Sequence, residues 1–98
     1  MKKFVLTLVF ALSAYNSYAE GLAYEKTLTQ VRYGTMMHVG GGFGGGRFEG
    51  VGFSTQSPEH ALSKCCYYGK RPIREKAVVY GYNKAFRTYG WFATIIYN

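Results

Sequence analysis

The second half of the chain alternates between segments with the two-residue period of a β-strand and one segment with helical spacing. Residues 47–55 form the first predicted strand, and two of its glycines, Gly50 and Gly52, lie on the same face. Glycines in such positions predict that a helix or another backbone packs closely over that face. Residues 73–82 and 89–97 are the second and third predicted strands. The third is apolar on both faces, which is typical of a central strand.

A helix is predicted between the first two strands. Ser57 can accept a hydrogen bond from a free amide at the helix start, and Pro58 suits the first helical position. The helix is expected to run to about Tyr68, and Gly69 to end it in the left-handed conformation. The residues expected to face the sheet share i, i+3, i+4 spacing. They are Ala61, Leu62, Cys65, Cys66 and either Tyr68 or Gly69.

These elements determine a predicted topology. A hairpin makes the second and third strands antiparallel, and a right-handed crossover through the helix makes the first and second parallel. Because the most apolar strand belongs in the middle, the sequence predicts an α+β fold. Its small, three-stranded, mostly antiparallel sheet has the order 1-3-2, with one helix on one face. One helix covers one face only, so residues 20–39 or a partner must cover the other. That uncovered face is the first functional lead.

Residues 1–19 have the three parts of a cleavable signal peptide in the right order. Two lysines follow the initial methionine, residues 4–14 are uncharged and mostly apolar, and Ser17 and Ala19 are the small residues that a signal peptidase recognises. The apolar stretch is shorter than the roughly 20 residues that a membrane span needs. We therefore expect cleavage after Ala19 and a periplasmic or secreted protein.

Two segments separate the predicted signal from the strand–helix–strand–strand domain at 47–98. Residues 20–39 form an N-terminal arm in which β-branched and aromatic side chains over 27–39 favour a strand. Six of the seven residues at 40–46 are glycine, which predicts a flexible linker. A phosphate-cradling loop would need a helix start or a lysine beside it, and a strand-like segment follows instead.

Charge and aromatic content point to a surface that binds. Loss of two lysines with the signal lowers the net charge from +7 to +5, which favours anionic partners such as lipid headgroups, lipopolysaccharide or an acidic protein. Nucleic acid is disfavoured because it is scarce outside the cytoplasm. Aromatic residues make up 18 % of the chain, more than so small a sheet can bury.

The aromatic residues concentrate with basic ones around the predicted hairpin turn. Tyrosine suits protein binding because it adds contact area at low entropic cost, and aromatic–basic mixtures also suit single-stranded nucleic acid. An ordinary hairpin whose aromatics pack on the core is the plainer alternative. The candidate partner contacts are Tyr80, Tyr82, Lys84, Phe86, Arg87 and Tyr89.

The two cysteines, Cys65 and Cys66, are adjacent and cannot join distant segments of one chain. Buried free thiols on the helix's packing face and an intermolecular disulfide remain as alternatives. Their spacing from His60 is poor for a cysteine–histidine nucleophile, and adjacent cysteines on a helix do not easily reach one metal ion. The sequence therefore predicts no catalytic, metal or cofactor site and no enzyme.

Several short motifs carry a resemblance to known proteins. They are EGVGFS at 49–54, SP at 57–58 with Ala61, CCYYG at 65–69 and GWFAT at 90–94. With these motifs, residues 49–97 resemble small exported proteins encoded by phages and prophages of enteric bacteria. The resemblance covers about half of the chain, implies no activity and favours a role at the bacterial envelope.

We therefore expect a small, exported, non-enzymatic interaction module that binds a bacterial envelope protein or another copy of itself. A cationic effector that binds anionic lipid or lipopolysaccharide is the alternative. A small hydrolase or its regulator is a third hypothesis, which the sequence favours less.

Overall fold

The structure is a computed structural model that describes residues 21–98. The predicted signal peptide and its cleavage site lie outside these residues. The elements in chain order are helix α1 (Leu22–Tyr33), strand β1 (Phe48–Ser54), helix α2 (Pro58–Ser63), strand β2 (Ile73–Asn83) and strand β3 (Thr88–Tyr97). The strands form one sheet in the order β1-β3-β2, in which β3 is antiparallel to both neighbours. This confirms the predicted α+β class, the sheet order and the central position of the most apolar strand.

Helix α1 occupies the segment in which a strand was predicted, so that prediction is wrong. Its buried positions have the i, i+3, i+4, i+7 spacing of one helical face. They are Ala23, Lys26, Thr27 and Gln30. Three of these four are polar, so the helical period does not appear as an apolar stripe in the sequence. The helix ends at Gly34, whose φ of 71° is left-handed and whose N–H donates to the carbonyls of Gln30 and Val31.

The face of the sheet that was expected to need a cover is therefore covered by α1. Ala23 packs with Ala77 of β2 and Ile96 of β3. Farther along, a Cβ at Gly81 would lie 2.6 Å from Val31 Cγ1, which shows how closely α1 approaches β2. Because residues 20–39 supply this cover, the face is not the functional lead that the sequence suggested.

Buried polar contacts join α1 to the sheet. Gln30 Nε2 donates to Thr94 Oγ1 at 2.7 Å, and Thr27 Oγ1 lies 2.8 Å from the same oxygen. Lys26 Nζ lies 2.7 Å from Glu49 Oε1, and both side chains are 2 % exposed. Lys26 also donates to a loop carbonyl, that of Val39, at 2.8 Å. Hydrogen bonds and an ion pair, more than the shape of apolar side chains, thus specify where the polar face of α1 lies on the sheet.

Helix α2 begins as predicted and ends earlier. Ser57 Oγ accepts the N–H of His60 at 3.0 Å, and Pro58 opens the helix. The helix ends at Ser63 rather than near Tyr68, so its predicted length is wrong. Gly69 does adopt a left-handed φ of 77°, but in the loop beyond the helix.

The backbone just beyond α2 packs on the glycines of β1. A Cβ at Gly50 would lie 2.6 Å from the carbonyl oxygen of Cys66, so the backbone beyond the helix rests directly on the strand. This confirms the close packing predicted from Gly50 and Gly52. On this face Ala61 and Cys65 pack with residues of both neighbouring strands, including Val78 and Ile95.

The glycine-rich segment 40–46 contains no helix or strand. Four of its glycines, at 41, 42, 44 and 45, have positive φ, a region that side chains with a Cβ rarely adopt. Phe43 reaches back from this loop and places its ring 5.1 Å from Lys26 Nζ. Flexibility of the segment stays a prediction. None of the helices in the part of the chain that the structure describes has the length and hydropathy of a membrane span.

Candidate functional site

The β2–β3 hairpin gathers four aromatic side chains on one face. The strand register pairs Tyr80 with Trp91 and Tyr82 with Tyr89. Side chains alternate along a strand, so these four share the face on which Val78 packs against α2. Because α2 is only six residues long and lies mainly over β1 and β3, it leaves this end of the hairpin open. We call Tyr80, Tyr82, Tyr89 and Trp91 the aromatic strip.

The rings of the aromatic strip hold one another in place. Tyr80 and Tyr89 are stacked, with centroids 5.9 Å apart and planes 15° apart. Trp91 meets Tyr80 edge-on at 5.0 Å, and Tyr82 meets Tyr89 at 5.1 Å. Tyr80, Tyr82 and Tyr89 are nevertheless 49 %, 41 % and 58 % exposed. The strip is therefore an ordered apolar surface that is edged with tyrosine hydroxyl groups and open to solvent.

The other three predicted contacts lie in the hairpin turn and point to different places. Asn83 Oδ1 accepts the amides at 85 and 86, at 2.9 and 3.1 Å, and this fixes the turn. The stem of Lys84 lies over Gly34, on the α1 side of the molecule. Arg87, with a φ of 56°, is exposed, as is Phe86. Of the six predicted contact residues, the three tyrosines thus lie together on the aromatic strip. Lys84, Phe86 and Arg87 lie at different places around the turn.

A cavity of about 210 Å³ lies at the end of β1, beside the aromatic strip. Its lining residues are Phe53, Ser54, Thr55, Gln56, His60 and Phe86. Ser54 is the register partner of Trp91, so this side of the cavity adjoins the strip, whereas Phe53, the partner of Phe92, lies on the opposite face of the sheet. Phe86, predicted as a partner contact, lies with its ring 5.6 Å from that of Phe53 and forms one wall. We call this space the β1-end cavity.

A hydrogen bond joins Ser54 and His60 at the β1-end cavity. Ser54 is buried, and its Oγ accepts the N–H of Gln56 at 2.9 Å. The same Oγ lies 2.7 Å from His60 Nδ1, and the tautomer of the imidazole decides which of these two atoms donates. Ser54 and His60 thus form the polar side of the cavity.

The sequence reasoning missed Trp91, Ser54 and the contact of His60 with a serine. Of the two cysteines that it weighed as partners for His60, Cys65 lies in the core and Cys66 is exposed. Trp91 could have been found, because it is two residues from Tyr89 on the same face of the predicted third strand. The approach of Ser54 to His60 depends on the turn between β1 and α2 and has no signal in a periodic pattern.

The two cysteines have opposite environments. Cys65 is buried, and burial raises the pKa of its thiol to about 12, with the neighbouring Cys66 adding to the rise. Cys66, the next residue, is exposed. The prediction that both thiols face the sheet is therefore right for Cys65 and wrong for Cys66. Residues 21–98 contain no group of three or more His, Cys, Asp or Glu side chains placed to hold a metal ion.

We expect an alkylating reagent to modify the native protein at Cys66 at least about a hundredfold faster than at Cys65, because the thiolate is the reactive form and Cys65 is both buried and protonated. Mass spectrometry of a maleimide time course measures both rates. In urea the two rates should converge. A disulfide between two chains should disappear in Cys66→Ser and persist in Cys65→Ser on a non-reducing gel. Equal native rates would contradict this assignment.

Comparison with protein-family models, with curated proteins and with solved structures finds no match to this chain.

Proposed function

We propose that this protein is an exported, non-enzymatic interaction module that binds a protein partner at the bacterial envelope through its aromatic strip. The observation that carries the proposal is the set of ring contacts among Tyr80, Tyr82, Tyr89 and Trp91 on an open part of the sheet. Contiguous exposed apolar patches on small proteins mark binding sites more often than single exposed residues do. Export and the envelope location are supported by the sequence pattern at 1–19.

Tyrosine and tryptophan are the residue types that dominate binding energy at protein interfaces. Ring–ring contacts already restrict the side chains of the strip, so binding should cost less conformational entropy than it would for free side chains. Each tyrosine adds a hydroxyl that can hydrogen-bond to a partner backbone. These properties favour a polypeptide surface over a lipid surface as the ligand.

Charge adds a preference for acidic partners. Glu49 and Lys26 are buried against each other, so their charges cancel and the basic excess of the chain remains. Arg87 in the hairpin turn and Lys64 just after α2 are among the exposed basic residues. Their field should speed the encounter with an acidic partner more than it strengthens the final complex.

A photo-crosslinking amino acid, p-benzoylphenylalanine, in place of Tyr89 should give a specific covalent adduct in cells that export the protein. Tyr33 is the matched control, because it is a tyrosine of similar exposure, 62 % against 58 %, on α1 at the opposite face. We expect an adduct at position 89 and none at 33. Mass spectrometry then identifies the partner, and Tyr89→Ala should weaken its binding at least about tenfold while Tyr33→Ala leaves it unchanged.

Adducts of equal yield at both positions, or at 33 alone, would contradict the proposal. So would binding to anionic vesicles that falls with added salt and is unaffected by Tyr89→Ala, because that result assigns the function to charge rather than to the strip. An adduct between two copies of the chain would identify the partner as the protein itself and would support the strip as the contact surface.

A further inference from the structure

We infer that Arg71 is the receptor for a carboxylate of an acidic polypeptide, at the end of the sheet opposite the hairpin turn. The strand register pairs Tyr82 with Tyr89 beside the turn. At the other end of these strands it pairs Ile73 with Tyr97, and Arg71 lies just before Ile73. The extended chain between these two pairs spans about 30 Å. The contact is therefore separate from the aromatic strip and does not depend on the proposed function.

The guanidinium group of Arg71 lies on an aromatic base that is anchored in the core. Its Cζ atom is 3.7 Å from the centroid of the Phe48 ring and 5.7 Å from that of the Tyr67 ring. These two rings are 5.2 Å apart, and Tyr67 meets the buried Tyr97 edge-on at 5.9 Å. A cation this close to an aromatic face is attracted by the ring, so the ring contacts hold the guanidinium in position.

The backbone beside this aromatic base is fixed as well. The N–H of Lys70 donates to the carbonyl of Tyr67 at 2.8 Å and closes a turn. Tyr67 has a φ of 67°, a left-handed conformation that is unfavourable for a bulky side chain. Backbone strain of this kind is concentrated at binding and active sites, where surrounding contacts hold the residue in place.

Arg71 has no carboxylate partner in the part of the chain that the structure describes. Both ion pairs in residues 21–98 involve the buried Glu49. Glu75, which is close to Arg71 in sequence, accepts the N–H of Ala23 instead. Arg71 is exposed, and its contact with Phe48 uses the flat face of the guanidinium. The N–H groups at its edge are therefore open to a planar acceptor that takes two parallel hydrogen bonds.

Arg74 lies on the α1 side of the same end of the sheet. Its Nη1 donates to Asn98 Oδ1 at 3.3 Å. A Cβ at Gly45 would lie 2.8 Å from its Nη2, so the guanidinium lies against the glycine-rich loop. The same loop approaches α1 at Gly44, where a Cβ would lie 3.0 Å from Leu22 Cδ2.

Arg71, in contrast, lies on the α2 side, because Phe48 beneath it packs against the core that includes Ala61 of α2. The two guanidinium groups therefore do not face one plane, as attraction to a flat anionic membrane would favour. Arg71 instead offers one planar fork with one positive charge, which matches a planar carboxylate with one negative charge. Phosphate groups are typically bound by clusters of arginines.

The tyrosines beside Arg71 favour a polypeptide as the source of the carboxylate. Tyr67 and Tyr68 are 42 % and 45 % exposed. Their rings offer apolar contact, and their hydroxyl groups can hydrogen-bond to the backbone on either side of an acidic residue. An acidic residue within a peptide segment can therefore use the fork and the rings together.

Two peptides test the inference. One has six residues of alternating glutamate and glycine, the other has glutamine in place of glutamate, and both have blocked ends. Each is titrated into the ¹⁵N-labelled protein and followed by two-dimensional NMR. We expect saturable shift changes with the glutamate peptide at the Arg71 Nε–H and at the amides of residues 67–71. The glutamate peptide should bind at least about fivefold more tightly than the glutamine peptide, because its hydrogen bonds join two charged groups.

The variant Arg71→Lys separates the planar fork from the charge. Lysine keeps the positive charge but cannot donate two parallel hydrogen bonds or lie flat on a ring, so the affinity for the glutamate peptide should fall at least about fivefold. Arg87→Lys is the matched control, because Arg87 is an exposed arginine in the hairpin turn at the opposite end of the sheet. It should bind the glutamate peptide as the native protein does.

Equal affinities of the two peptides for the native protein would overturn the inference. So would native affinity in Arg71→Lys, or equal losses in Arg71→Lys and Arg87→Lys, because net charge alone would then attract the peptide.

Two results would assign the site to a phosphate group and would also overturn the inference. One is a shift of the Arg71 signal by inorganic phosphate at lower concentration than by the glutamate peptide. The other is binding to phosphatidylglycerol vesicles that Arg71→Lys abolishes. The crosslink at Tyr89 reports on the other end of the sheet, so its failure would refute the proposed function and leave these measurements standing.

Discussion

Replacing Glu49 with alanine should lower the free energy of unfolding by about 3–5 kcal/mol, the usual effect of removing one partner of a buried ion pair. The Lys26 ammonium would remain inside the α1–sheet interface, where both side chains are 2 % exposed and their charged atoms are 2.7 Å apart. Lys26 would keep its hydrogen bond to the Val39 carbonyl and its contact with the Phe43 ring. These offset only part of the lost interaction with Glu49. For so small a domain, this effect would remove most of the net stability.

Urea unfolding followed by circular dichroism measures the change. Glu25→Ala is the control, because Glu25 is exposed on the same helix and should shift the stability by less than about 0.5 kcal/mol. Replacing both partners, Lys26→Met with Glu49→Leu, should restore stability to near the native value or above it. If Glu49→Ala lost less than about 1 kcal/mol, the ion pair would not be the stabilising contact of this interface.

Gly52→Ala is expected to destabilise the protein by about 2–3 kcal/mol. The added Cβ would run into the carbonyl oxygen of Ala61 and come within 3.0 Å of Lys64 Cβ. A carbonyl of the helix backbone cannot move away by changing its rotamer, as a side chain can. The whole of α2 would have to lift, and this would open the core in which Ala61 packs against Val78.

Gly40→Ala is the matched control for Gly52→Ala, because a Cβ at Gly40 has no neighbour within 4 Å. Its φ is not positive, so alanine should change stability by less than about 0.5 kcal/mol in either direction. In the Gly52 variant the NMR signals of His60, which lies on α2, should move as well. Equal stabilities of the two variants would show that α2 does not rest on β1 as tightly as the structure has it.

The sheet was predictable because its strands carry their burial in a local pattern. β3 is apolar on both faces over most of its length, and this placed it in the centre. Gly50 and Gly52 on one face predicted that another backbone packs closely over that face. Ser57 and Pro58 marked the start of α2 through local hydrogen bonding and a fixed φ. Each signal depends on neighbours in sequence.

Helix α1 was not predicted, because its burial does not appear as a local pattern. Its buried stripe contains Lys26, Thr27 and Gln30, whose burial is favourable only because Glu49 and Thr94 meet them from distant strands. A lysine or glutamine that faces a partner 23 or 64 residues away along the chain looks the same in sequence as one that faces water. The end of α2 was misplaced as well, since the chain leaves the helix at Ser63, six residues before Gly69, the residue expected to stop it.

The candidate site likewise has features that the sequence showed and features that only the structure shows. Export, the basic charge and the abundance of tyrosine near the hairpin turn were inferred from residue order alone, and Tyr80, Tyr82 and Tyr89 do lie together on one face. Trp91 lies beside them because it is the register partner of Tyr80. Lys84 lies on the α1 side of the molecule instead.

The sequence by itself determined the sheet, its order and the aromatic character of the hairpin, because alternation and turn residues are local properties. Only the tertiary structure decided which face of the sheet stays open. That outcome depends on how far α2 reaches and on the polar interface of α1, whose partners Glu49 and Thr94 lie far from it along the chain. No local pattern records such contacts.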